Sequence, residues 1–246
     1  MQKLPLLLAA FLTWIAGFVD AVGYISLRKI YTANMSGNSV AVGIEWASRN
    51  WPELAWRLWP VVTYVAGLLF CRILLEIGAR ERIRSIASIT LAFEIALLLP
   101  VVLAHLPAAS LAVGLLAVAM GIQNGTLTHF SSLTLHTGFV TGTLVKFAEE
   151  FTKYLTWAFD RIRRPREPLR NFAAQSLKQQ PLKIALFLAF IWFAYVIGAV
   201  CGALGDYAAK LNALVVPVAG LAGLVLIDLR WPLAIREEQD QAKLES

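Results

Sequence analysis

Two short strings of small polar residues stand out in an apolar chain: Ser36-Gly37-Asn38, preceded by Asn34, and Thr141-Gly142-Thr143. A helix that starts at such a string has unpaired backbone N–H groups and a partial positive charge at its end. A Ser or Thr can cap that end, and a Gly lets a ligand or another backbone come close. Aimed at the middle of a bilayer, two such ends would bind polar or anionic groups without a full charge. The alternative for the same residues is packing, with glycines that let helices approach and hydroxyls that bond across them.

Asp20 and Asn124 stand three residues after Gly17 and Gly121, and Gln123 adds a second amide. Asp20 lies deep in an apolar run, where a bare carboxylate costs at least about 3 kcal/mol. It must therefore be protonated, paired or in contact with water. It reads as a substrate or proton group, and equally as a cap bridging to the neighbouring segment. Glu94 stands mid-run with no Lys or Arg within a helical turn, which makes it either a structural hydrogen-bond donor inside the bundle or, with Asp20, a candidate for proton coupling. Arg72 and Glu76, four residues apart, are expected to pair. Lys146, Glu149, Glu150 and Lys153 make the segment after Thr143 amphipathic, suited to a wet cavity or the membrane interface.

The strings belong to a repeat. Gly17-Phe18-Val19-Asp20 leads Gly37 by 20 residues, and Gly121-Ile122-Gln123-Asn124 leads Gly142 by 21. A third pair follows in the same order, Tyr64-Val65-Ala66-Gly67 and Tyr195-Val196-Ile197-Gly198. Three matches in one order indicate a duplicated unit, and duplication of an apolar unit is a common plan for transporters.

The elements that carry these residues must be helices in lipid. Of 246 residues, 58% are hydrophobic and 15% charged, against about 45–50% and about 25% in soluble domains. A span of about 20 apolar residues crosses about 30 Å of hydrocarbon, and a helix hides its own backbone polar groups there. Six segments qualify, near Leu4–Leu27, Leu54–Ile77, Ile83–Leu106, Ala108–Thr128, Leu182–Tyr207 and Leu211–Leu229. The first is read as retained, not as a cleaved signal. Thr32–Trp46 and Thr137–Phe159 are shorter or more polar, and read as broken or re-entrant helices.

The net charge of +6 comes from bases between apolar runs, so membrane orientation explains it and no nucleic-acid partner is implied. Six spans with both termini in the cytoplasm put Lys3, Arg80, Arg82, Arg84, the Arg161–Lys183 stretch and Arg230 inside, and leave Arg28, Lys29, Arg49 and Arg57 outside. A seven-span arrangement, in which Thr32–Trp46 crosses fully, competes. Three spans per unit make the second copy upside down. The expected fold is thus an all-α integral membrane bundle of about six transmembrane helices plus two broken segments, in two inverted repeats. Residues 1–107 form the first repeat and 108–230 the second, with an inserted basic cytoplasmic loop at 160–181. A polar C-terminal tail, 231–246, follows.

The strings Gly17 to Tyr24 and Asn34 to Asn38, with Met120 to Asn124 and Val140 to Leu144, resemble the YoaK-like family of bacterial inner-membrane proteins. The resemblance covers nearly the whole chain. It implies a bacterial cytoplasmic-membrane location and supplies no substrate or catalytic residues, since that family is a domain of unknown function.

The function expected from the residues is a secondary transporter or permease for a small polar or anionic molecule, with proton coupling as an option. Asp20, Asn34, Ser36, Gly37, Asn38, Gln123, Asn124, Thr141, Gly142 and Thr143 would form its site, and Glu94 would carry the proton. A channel-like pore or a non-transporting scaffold is the alternative. An enzyme is not expected: His129 with Ser131 and Ser132 lacks an orienting acid. No glycine-rich phosphate motif occurs and no metal-ligand cluster, so no cofactor is implied. The bilayer is the expected partner, and a homo-oligomer is compatible with the chain.

Overall fold

The computed structural model describes residues 3–81, 83, 85–103, 106, 108–130, 140–163 and 172–230. The tail 231–246, residues 164–171 of the inserted basic stretch, Arg82, Arg84 and residues 131–139 lie outside that set. The chain forms α1 (Lys3–Ser26), α2 (Met35–Ala47), α3 (Trp51–Arg80), α4 (Ile86–Leu103) and α5 (Ala109–Phe130). It continues with α6 (Val140–Arg163), α7 (Phe172–Ser176), α8 (Gln180–Ala209), a 3-10 turn (Lys210–Leu214) and α9 (Val215–Arg230). Five stretches are long and apolar enough to cross a membrane: Leu6–Ser26, Trp51–Arg80, Ile86–Leu103, Ala109–Thr128 and Gln180–Arg230.

The last stretch has 51 residues and turns back on itself. Lys210 has φ 53°, a left-handed conformation that ends α8. Gly205 then faces Ala213 and Phe18, while Gly220 faces Phe11, so α9 runs antiparallel to α8 and α1. Within that one apolar stretch, α8 and α9 therefore form an antiparallel pair, where the sequence predicts two separate segments.

Helix directions settle the competing arrangement. Gly198 lies against Trp14 and Gly202 against Phe18, so α1 and α8 run in the same direction. Gly114 meets Trp59, Gly121 meets Tyr64 and Gly125 meets Cys71, so α3 and α5 also run together. With α3, α4 and α5 crossing, a parallel α1–α8 pair requires that α2 and α6 both cross or that neither does. Seven spans are excluded by that parity. The 13 residues of α2 reach only about 20 Å as helix, short of about 30 Å of hydrocarbon. Neither helix crosses.

The packing follows a row, α2–α3–α5–α1–α8–α6, with α4 laid on α5 and α9 on α4. The two halves interlock, because α1 packs on α8 and α3 on α5 across the boundary at 107/108. Asp228 of α9 caps α4 by accepting from Ser88 N–H (3.0 Å) and Ser88 Oγ (2.5 Å). Where α1, α2 and α3 meet, Glu53 pairs with both Arg28 (2.6 Å) and Arg57 (3.3 Å). Arg57 also donates to the Lys29 carbonyl (2.9 Å), and Arg28 lies over the Trp56 ring. Part of the basic charge that counted against the six-span orientation is thereby neutralised.

One local expectation fails. Arg72 does not pair with Glu76; its guanidinium donates to Thr128 Oγ1 (2.6 Å) on α5, and Glu76 pairs with Arg80 (3.1 Å). Arg72 finds its partner across the close α3–α5 contact, which the spacing along one helix does not reveal.

Candidate functional site

Asp20 is 2% exposed and its carboxylate is fully engaged. The N–H groups of Thr32 and Ala33 donate to Oδ1 at 2.6 Å, and Asn34 N–H donates to Oδ2 at 3.1 Å. Thr32 Oγ1 (3.3 Å) and the Tyr195 hydroxyl (2.6 Å) complete the set. These three successive N–H groups lead into α2. The anion at that helix entrance is therefore an internal carboxylate, which ties α1, the α2 entrance and α8 together. Of the two readings of Asp20, this geometry is the bridge.

Truncation of this carboxylate leaves three backbone donors and a Tyr hydroxyl unpaired in a buried setting. Asp20→Ala is expected to cost about 3 kcal/mol or more, given roughly 1.5–3 kcal/mol for a hydrogen bond to a charged group. Thermal unfolding of the detergent-purified variant measures it, and an unchanged midpoint would remove the anchoring role. Asp20→Asn, which turns a donor toward donors, is expected to lower the midpoint as well.

The remaining residues of the first string serve α2 itself. Asn34 is its N-cap and makes no side-chain cap bond; its Oδ1 accepts from Ser36 Oγ (2.7 Å). Asn38, 1% exposed, clamps the Tyr31 peptide, donating to its carbonyl (2.6 Å) and accepting from its N–H (3.3 Å). A Cβ at Gly37 would touch the Tyr31 ring at 3.0 Å, while Ser36 is exposed. In the second string, Thr143 is buried, and Thr141 and Gly142 are exposed on the first turn of α6.

The structure does not set the two strings face to face. α2 packs on α3 and α6 packs on α8, at opposite ends of the row. The single central site expected from broken helices meeting mid-membrane is corrected accordingly: α3, α5, α1 and α8 lie between them.

The glycines mark two matching crossings instead. A Cβ at Gly17 would collide with the Tyr195 carbonyl, and one at Gly198 with that of Trp14. A Cβ at Gly121 would collide with the Tyr64 carbonyl, and one at Gly67 with that of Val118. Beside each crossing a tyrosine meets the polar residue three after the glycine. Tyr195 donates to Asp20, and Asn124 Nδ2 donates to the Tyr64 hydroxyl at 2.7 Å. Residue-by-residue reading missed these tyrosines as partners. Their place in the third repeated string was the available signal.

A second group in the interior has carboxyl and amide oxygens with no partner among the described residues. Glu94 is fully buried on α4, and neither carboxyl oxygen has a hydrogen-bond donor among the described residues. Gln123 is fully buried on α5; its Nε2 donates to the Leu12 carbonyl (2.6 Å) and its Oε1 is unpartnered. Leaving a buried acceptor unsatisfied costs about 1–3 kcal/mol, and more for a charged group. Such a residue inside a membrane bundle is a functional candidate by default.

Apolar helices of membrane-spanning length, with polar residues turned inward, define an all-α integral membrane protein. The chain belongs to the family described as "protein of unknown function (DUF1275)", whose model matches residues 8–227. It is similar to "UPF0700 transmembrane protein YoaK" of Bacillus subtilis (strain 168), 26% identical over 142 residues. That match covers 56% of this chain and 63% of the relative, so the chain spans less than two thirds of the relative's length. No solved structure matches.

Proposed function

We propose that the protein is a proton-coupled secondary transporter or permease for a small polar or anionic molecule, with Glu94 carrying the proton. The supporting observation is the Glu94 carboxyl, buried on α4 with both oxygens unpartnered. A structural carboxyl of this kind would be paired; a carrier must be free to gain and lose its proton as the bundle opens. Gln123 and the Asn124–Tyr64 pair supply polar groups to the adjoining α5 and α3. Asn34, Ser36, Gly37 and Asn38 at the α2 end of the row, and Thr141, Gly142 and Thr143 at the α6 end, lie apart from Glu94 and do not meet. Asp20 holds the α2 entrance.

The two halves are proposed to be inverted repeats. The matched crossings support this, since Gly17–Asp20 with Tyr195–Gly198 and Gly121–Asn124 with Tyr64–Gly67 form the same contact twice. So does the equivalent placement of α2 on α3 and of α6 on α8. Both termini are proposed to be cytoplasmic, in a bacterial inner membrane. In a background lacking Cys201, a cysteine at Asn50 is expected to react with an impermeant thiol reagent in intact cells. One at Lys178 is expected to react only after lysis, and the opposite pattern would invert the orientation.

The functional test is flux into proteoliposomes carrying a pH-sensitive dye, over a panel of small polar and anionic solutes. Saturable flux accompanied by proton movement is expected for at least one solute. Flux that never saturates would make the protein a pore, and no flux across the panel would favour a scaffold.

A further inference from the structure

The polar atoms left over in the core are acceptors. Glu94 stands between Leu91 and Leu98 on the face of α4 that enters the main core, together with Leu116 and Met120 of α5 and Leu12 of α1. Both its oxygens are unpartnered, and so is Oε1 of Gln123, whose Nε2 donates to the Leu12 carbonyl at 2.6 Å. Neighbouring donors are spent. Asn124 Nδ2 donates to the Tyr64 hydroxyl and the Tyr195 hydroxyl to Asp20. The hydroxyls of Thr13, Thr90 and Thr126 donate to carbonyls of their own helices. The buried donors without a partner, Trp56 Nε1, Arg57 Nε and Ser176 Oγ, stand elsewhere: beside the Arg28–Glu53 pair and in α7.

The same interior holds no positive counter-charge. Among the described residues the buried acids are Asp20, Glu94, Glu150, Asp206 and Asp228, and no Lys or Arg is buried. The remaining bases stand at the N-terminus and in polar stretches of the sequence, at 3, 82–84, 164–170 and 236–243. The α2 entrance, where helix N–H groups could hold an anion, is taken by Asp20. An anion drawn into this core would lose its water among acids and find no partner for its charge. A cation would need Glu94 ionised, and Glu94 is the group that holds the proton.

Given the transport reading above, on which this rests, we infer that the solute is an uncharged hydrogen-bond donor such as a small amide, and that Gln123 Oε1 is the acceptor that selects it. Glu94 offers a carbonyl-type acceptor when protonated, and Gln in its place would offer one too. A solute with N–H groups satisfies oxygens that burial leaves bare. One without them leaves the oxygens unpaired, and that difference sets the specificity.

Full-length protein in proteoliposomes tests this with matched solutes: lactamide, lactate and N,N-dimethyllactamide, then malonamide, malonate and tetramethylmalonamide, with choline as a cation. Saturable uptake above that of protein-free liposomes is expected for at least one primary amide. Its N-methylated form, which lacks the N–H donors, is expected to lose about tenfold or more in kcat/KM, on the scale of one or two hydrogen bonds. Lactate, malonate and choline are expected to show no saturable uptake. Gln123→Met and Gln123→Glu both give up the Leu12 bond, but only Met lacks an acceptor oxygen. KM for the amide is expected to rise about tenfold in Gln123→Met and to stay near wild type in Gln123→Glu. An equal rise in both would make Gln123 a structural tie and overturn its role. The comparison of solutes on the wild-type protein stands without either variant. Saturable uptake of an anion or of choline at the rate of the amide would overturn the solute class and leave a transporter standing. Uptake of no solute at all would remove the transport reading, and the solute assignment with it.

Discussion

Alanine in place of Gly198 is expected to prevent stable folding, while alanine in place of Gly43 or Gly223 is expected to be neutral or mildly stabilising. All three are helical glycines in one membrane protein, and their environments separate them. A methyl at Gly198 would fall well inside contact distance of the Trp14 carbonyl oxygen, with the Trp14 carbonyl carbon at 2.8 Å and its Cα at 3.0 Å. Those are backbone atoms, so no rotamer change relieves the clash. The helices must separate, taking with them the Tyr195–Asp20 bond and the anchor of the α2 entrance. Overpacking typically costs about 1–3 kcal/mol where side chains can adjust, and a backbone-on-backbone clash belongs at or above the top of that range. At Gly43 and Gly223 a new Cβ meets nothing within 4 Å, and an unobstructed Gly→Ala exchange in a helix gains up to about 1 kcal/mol. Unfolding midpoints and size-exclusion profiles in detergent measure all three. A Gly198→Ala protein as stable as wild type would dissolve the crossing on which the interlocked halves depend.

Those crossings also show how far the sequence could be read. The spans were visible because lipid imposes length and apolarity on every crossing helix. The recurring strings were visible because Gly17, Asp20, Gly67 and their counterparts keep their order. The pairing was not visible: nothing in the spacing says that Gly17 packs on Tyr195 of the other half and not on Tyr64 of its own. The fate of Asp20 lay half in view, as a choice between a bare group and a bridge. It was decided by Thr32, Ala33 and Asn34, whose N–H groups carry no side-chain signature. The strings at Gly37 and Gly142 misled for the same reason. A polar helix start has the same sequence whether it faces a central cavity or packs at the edge, as α2 does on α3. Glu94 was legible because a lone carboxyl in an apolar run leaves few alternatives, and burial without a partner narrows them further.

Glu94 carries the second large effect. If its carboxyl serves transport and not packing, removing it should help the fold and end the coupling. Glu94→Leu is expected to raise the unfolding midpoint, since exchanging an unpartnered buried polar group for an apolar one removes a penalty of about 1–3 kcal/mol. A gain in stability with a loss of function is the pattern of a site kept at the expense of the scaffold. Glu94→Gln is the finer probe, because it keeps shape and polarity and loses only the exchangeable acid proton. It should still bind solute and exchange it across the membrane, but should not accumulate it against a gradient.

The most direct measurement is therefore made on Glu94→Gln in proteoliposomes, using the solute that gives saturable flux with the wild-type protein. Uphill uptake under an imposed proton gradient and equilibrium exchange without one are recorded side by side. Uphill uptake is expected to vanish while exchange persists at a rate comparable to wild type. Uphill uptake that continues undiminished in Glu94→Gln would contradict the account.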